Sequence, residues 1–187
     1  MALKEELIVI GQAAESEHEH IARIETALES SASATPPLNP LRRDIIKVLN
    51  NSLATELVCM LRYKRHRFVA DGLAIPKFGE RFLGYANEGA AHADRLARRI
   101  VELGGEPDLS TDSLTGRSHV AYDDASVLEA MIAANETVER VVVQSYGQII
   151  RLIGDKDSVT RLLLEEILNR HSLISAEMAI DRDQRRV

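Results

Sequence analysis

Four stretches of this chain each set one side chain able to bind a metal into an otherwise apolar stripe: Glu56, His92, Glu139 and His171. Burying an unpaired charge is costly, so four such residues meeting in one core would have to compensate one another. A divalent metal ion does this well, because carboxylate and imidazole are ordinary ligands of iron, manganese and zinc. Two Glu and two His describe a four-ligand pocket for one such ion. A carboxylate-bridged pair of ions asks for more: a Glu on each of two helices and Glu-x-x-His on each of two others, since residues three apart share a helix face. At those places the chain has Gly89-Ala90-Ala91-His92 and His171-Ser172-Leu173-Ile174. Glu88, one turn before His92, is a fifth candidate ligand if its side chain bends inward.

These residues need helices to carry them, and the apolar spacing of three and four supplies them. One helix is expected from about Leu41 to Ala70, with Ile45, Leu49, Ser52, Glu56, Met60 and Tyr63 on one face. The next runs from about Lys77 to Leu103, its face formed by Phe78, Phe82, Tyr85, Gly89, His92, Leu96 and Leu103, and Gly104-Gly105 stops it. A long polar segment from about Glu106 to Asp124 separates these from a helix over about Ala125 to Ile153, with Ile132, Glu139, Val142, Tyr146 and Ile149 on one face. After the turn GDKDS, a last helix spans about Ser158 to Asp181 and aligns Leu164, Ile167, His171, Ile174 and Met178. Short joints make two antiparallel hairpins, and the connection between them is long enough to cross a whole bundle. The expected fold is all-α: a four-helix bundle of two hairpins with one long crossover, over residues 41–181. Residues 1–40 are expected to add an N-terminal helix, from about Leu3 to Glu29, and the Pro-rich linker SSASATPPLNP; residues 182–187 form a polar tail. ESEHEH in the first helix contains Glu15/His18 and Glu17/His20 pairs, which its continuous polarity assigns to an exposed face.

Composition agrees with helix-on-helix packing. In 187 residues, aromatics are 4% and Trp is absent, so the core is aliphatic, while 10 Gly and 5 Pro leave few turns for a many-stranded sheet. A net charge of -6 lacks the basic excess of a general nucleic-acid binder, and the local basic cluster Arg62, Lys64, Arg65 and Arg67 is expected to be a solvated face or subunit contact. The single Cys59 permits no intrachain disulfide and is expected to be buried. No stretch approaches the roughly 20 apolar residues of a membrane span, and the N-terminus has no cleavage-site pattern, so a cytoplasmic protein is expected. His66 and His119 fall outside the apolar stripes and receive no role.

The runs ELVCMLRYKRHRFVADGL from Glu56 and YANEGAAHADRLARRIVELGGEPDL from Tyr85 resemble the bacterioferritins and their ferritin-like relatives, with HADR and ELGGEP the most specific segments. The similarity extends more weakly through SYGQII and LLLEEIL, from about Leu41 to Met178. It implies an oligomeric, iron-handling shell protein that oxidises Fe(II) and stores ferric mineral. Position by position, Glu56, His92 and Glu139 match the family's ligands. Gly89 stands where one bridging Glu is expected, His171 where the other is, and Ile174 where a terminal His is. Ala90 occupies the position of the family's haem-binding Met, so no haem is expected.

Two functions follow as expectations. The first is a ferritin homologue for iron storage and homeostasis, with a reduced, one-ion site at Glu56, His92, Glu139 and His171, in which ferroxidase activity by resemblance is impaired. The second is a metal-free structural subunit that co-assembles with an active homologue. Either way the chain is expected to form an oligomer, homomeric or mixed.

Overall fold

The computed structural model describes residues 40–184. The expected N-terminal helix, with ESEHEH, lies outside the described residues. Four long helices form the bundle: α1 (Pro40–Gly72), α2 (Pro76–Glu102), α4 (Leu128–Ile153) and α5 (Ser158–Gln184). A short helix, α3 (Thr111–Arg117), interrupts the crossover, and a 3₁₀ turn (Gly154–Asp157) joins α4 to α5.

Each of the four apolar stripes faces inward. Every position expected on them is buried except Met60, which is half-buried. Each fully buried Leu or Ile contributes about 1.5–3 kcal/mol relative to exposure, so a core built from Leu49, Leu53, Leu96, Ile100, Ile149, Leu164 and Ile167 is what holds the helices together. The α2 stop is a paired hydrogen-bond motif: Gly105 N donates to Ile100 O at 2.9 Å and Gly104 N to Val101 O at 2.8 Å. Gly104 takes φ 77°, which explains why glycine stands there. Asp157 accepts a hydrogen bond from Thr160 N at 3.0 Å and so caps the start of α5.

The crossover departs from expectation in two respects. It contains α3, where only an irregular polar segment was expected. Polarity hid this helix because side-chain ties hold it: Arg117 NH1 donates to Asn50 O at 2.9 Å, and Asn50 Oδ1 accepts from Asp108 N at 2.7 Å. The second departure is the basic cluster. Arg62 is 3% exposed rather than solvated, and its NH1 donates to Ala121 O at 2.6 Å. Arg65 NH1 donates to Ala125 O at 2.9 Å. Together with His119 N, which donates to Thr55 Oγ1 at 3.0 Å, these contacts lash the crossover along α1 from Asn50 to Arg65. At 1.5 Å per residue that is roughly 22 Å of bundle length, which is why the connection must be long.

His66, given no role from sequence, is fully buried beneath this strap. Asn135 Oδ1 accepts from Arg62 NH2 at 3.4 Å, so its Nδ2 is left to donate to His66 Nδ1 at 2.9 Å. That places the ring proton on His66 Nε2, 3.5 Å from Asp123 Oδ1 in the crossover. Burial, with the Arg62 charge beside it, lowers the His66 pKa to about 4, so the ring is neutral.

Candidate metal centre

Antiparallel packing brings Glu56 of α1, His92 of α2, Glu139 of α4 and His171 of α5 to one level of the bundle. Both carboxylates are fully buried and the two imidazoles nearly so. Glu56 Oε2 is 3.1 Å from His92 Nδ1, and Glu56 Oε1 is 3.0 Å from His171 Nε2. The other nitrogen of the same ring, His171 Nδ1, is 2.7 Å from Glu139 Oε2. The sequence-selected quartet is therefore one connected cluster.

Two tyrosines complete it. Tyr146 Oη donates to Glu56 Oε1 and Tyr63 Oη to Glu139 Oε1, each at 2.6 Å. Sequence reading placed both tyrosines on the apolar stripes without seeing these bonds. A signal was present: each Tyr follows a buried Glu by seven residues, two helical turns on, in Glu56/Tyr63 and Glu139/Tyr146. Because α1 and α4 run antiparallel, each Tyr reaches the Glu of the opposite helix.

The geometry fixes charges. An ionised carboxylate only accepts hydrogen bonds, so a ring with carboxylate oxygens against both nitrogens carries both protons. His171 is accordingly an imidazolium between two carboxylates. Burial alone would push its pKa down, but Glu56 and Glu139 overcome that and hold it well above the ordinary value of 6.5. Burial alone would raise Glu56, yet His171 and His92 hold it well below the usual carboxylate range. Burial and the adjacent carboxylates push Tyr63 and Tyr146 well above 10.0, so both stay protonated as donors. Cys59 is buried as expected, and burial with the Glu139 and Glu56 charges keeps its thiol neutral.

The donor set fits one metal ion. Ligand atoms of Glu56, His92 and His171 all lie within 4.8 Å of one another. Glu139 stands behind His171 on the ring's far nitrogen, the position from which a carboxylate orients a ligating imidazole and raises its basicity. As arranged, with Glu88 held outside, the set does not fit a bridged pair. Gly89 offers no ligand, and a Cβ there would be in ordinary contact with α1, 3.4 Å from Glu56 O and 3.5 Å from Met60 Cβ. Ile174 is 2% exposed, an aliphatic wall. Glu88 is turned away from the cluster: Arg170 Nε and NH2 grip its two oxygens, the NH2 contact being 2.9 Å.

Comparison with known proteins gives a consistent picture. A family model described as a ferritin-like domain matches residues 46–179. A nutrient stress-induced DNA-binding protein of Nostoc sp. is 30% identical over 126 residues, which is 64% of this chain and 67% of the relative. A bacterioferritin of Desulfovibrio desulfuricans is 25% identical over 127 residues, 66% of each. The chain thus spans about two thirds of the length of these curated relatives. Among solved structures, the Desulfovibrio desulfuricans bacterioferritin, described with a diiron site, superposes with a TM-score of 0.71 at 20% identity, covering 80% of this chain and 84% of that one. A dodecameric thioferritin, the bacterioferritin-related protein of Bacteroides fragilis, gives 0.69 at 24% identity, covering 74% and 83%.

Proposed function

Because the chain belongs to the ferritin-like domain family, matched over residues 46–179, we propose that it is an iron-binding protein of the bacterioferritin type whose bundle takes one ferrous ion where a diiron homologue takes two. The observation that carries this reading is the Glu56, His92 and His171 cluster, with ligand atoms within 4.8 Å and Glu139 braced against His171. Bound Fe(II) would supply a single reducing equivalent, so the paired-electron chemistry of a bridged diiron site is impaired. The protein's residues would do the rest. Glu56 provides the charged ligand, His92 and His171 the neutral nitrogens, and Glu139 keeps a proton on His171 Nδ1 so that Nε2 can face the ion. Tyr63 and Tyr146 hold the two carboxylates in place by donating to the oxygens that face them. Manganese(II) and zinc suit the same ligands.

Manganese titration of the full chain by calorimetry tests this. One strong site per chain is expected in the parent, and His171→Ala is expected to weaken it at least tenfold. Unchanged affinity and stoichiometry in His171→Ala would overturn the assignment.

Assembly into an oligomer is part of the same reading. The relative from Bacteroides fragilis is dodecameric. Here Leu162, Leu173 and Ile180 leave apolar side chains more than half exposed along α5, as a surface covered by another copy would. DNA binding belongs to the name of the Nostoc relative; a net charge of -6 gives this chain no general attraction to phosphate. Among the described residues, no helix is long and apolar enough to cross a membrane.

The metal-free subunit reading also has a specific observation in its favour. The Glu56–His171–Glu139 chain balances much of its own charge and leaves neither His171 nitrogen without a partner. If that reading holds, the parent takes up no manganese and forms mixed assemblies when co-expressed with an intact homologue.

A further inference from the structure

The seam between α2 and α5 is spanned by polar links that follow both helices in antiparallel order. They are Arg81 to Asp181, Tyr85 to Glu177, Glu88 to Arg170, Arg95 to Glu166 and Arg99 to Asp157. The two histidines of the cluster flank the third link, their ring centroids 5.4 Å apart. Glu88 precedes His92 by one turn on α2, and Arg170 directly precedes His171 on α5. Glu88 is thus a carboxylate one turn from His92 on the same helix, and Arg170 is the group that holds it.

We propose that the Arg170–Glu88 pair sets the number of metal ions the bundle takes. By holding Glu88 outside the cluster, Arg170 denies a second divalent cation, of the Fe(II) or Mn(II) class, the carboxylate it would need beside His92. The proposal rests on the one-ion reading above. Its physical basis is charge. The cluster already buries two carboxylates, Glu56 and Glu139, both fully enclosed. A third carboxylate turning inward is unfavourable unless a cation comes with it. With Arg170 present, Glu88 has a forked partner at the surface, itself steadied by Glu177, 3.5 Å from Arg170 NH1. Without Arg170, Glu88 loses its partner, and a metal ion shared with Glu56 becomes the available compensation. The pair is about one-third exposed on each side, so removing it leaves the fold intact.

The experiment uses the full chain, Mn(II) as probe, and two readouts: ions bound per chain and the X-band EPR spectrum. The parent is expected to bind one ion with the six-line signal of isolated Mn(II). Arg170→Gln is expected to bind two, with the broadened, many-line signal of a coupled pair. The double variant Arg170→Gln/Glu88→Gln is expected to return to one ion and six lines. Where the parent binds one ion, a single ion in Arg170→Gln overturns the proposal, as does a second ion that survives in the double variant. Failure of the one-ion reading looks different, because the parent itself then binds no ion or two. If the parent binds none, the proposal still requires one more ion in Arg170→Gln than in the double variant.

Discussion

Glu56 and Glu139 are both fully buried, and His171 joins them through opposite edges of one ring. This arrangement makes stability depend on pH in two directions. The His171 pKa is raised above its unfolded value of 6.5, so its contribution is complete below that pH and is lost as pH rises through the folded value. The Glu56 pKa is lowered, so its contribution is complete above the unfolded value of 4.5 and is lost as pH falls toward the folded value. His66, whose pKa is lowered to about 4, penalises the folded state as pH falls below 6.5. Metal-free protein is therefore predicted to have its highest Tm near pH 6.5, declining above it through His171 and below it first through His66 and then through Glu56. In His171→Gln the alkaline decline should flatten, as differential scanning calorimetry across pH would show. Metal binding needs the His171 Nε2 proton to leave, so affinity for Mn(II) should rise with pH over the same alkaline range. An affinity independent of pH would mean that His171 is not a ligand. Glu139→Gln keeps a hydrogen-bonding group behind the ring but removes its charge. It is predicted to weaken Mn(II) binding by about 10–100-fold without abolishing it.

At the scale of the element, Gly89 and Arg62 make opposite predictions. Gly89 lies in mid-helix, where glycine costs roughly 1 kcal/mol relative to alanine. The nearest atoms to its would-be Cβ are at ordinary contact distance, 3.4 and 3.5 Å. Gly89→Ala should thus stabilise the protein by up to about 1 kcal/mol, measured by urea unfolding. Arg62, by contrast, ties the crossover to α1 and fixes the Asn135 amide. Arg62→Ala leaves Ala121 O and Asn135 Oδ1 unsatisfied and opens a buried space, and should destabilise by about 2–4 kcal/mol. The four long helices were legible because burial imposes the three-four spacing on sequence. The quartet was legible because charged residues are rare in such stripes. Arg62 and His66 were not: a buried Arg bonded to loop carbonyls leaves no periodic trace, and α3 buries one apolar residue, Leu114, beside its side-chain bond to α1, too little to show as periodicity. Whether Glu88 turns inward was also beyond sequence, since it depends on Arg170, 82 residues away.

For the whole molecule, one crossover of this length leaves two hairpins that meet at the cluster. The α1–α4 seam is joined there by Tyr63, Tyr146, Arg62 and Asn135. The α2–α5 seam is joined by ion pairs that salt can screen. A chain of 20.7 kDa is predicted to assemble into a particle of many times that mass by light scattering; a monomer would contradict the shell reading. Binding of one metal ion per bundle can be seen by growing crystals with Fe(II) in the absence of oxygen and collecting anomalous diffraction at the iron edge. A single iron peak per chain is expected, about 2.0–2.3 Å from one oxygen of Glu56 and one nitrogen each of His92 and His171. Two peaks bridged by a carboxylate, or none in the cluster, would contradict it.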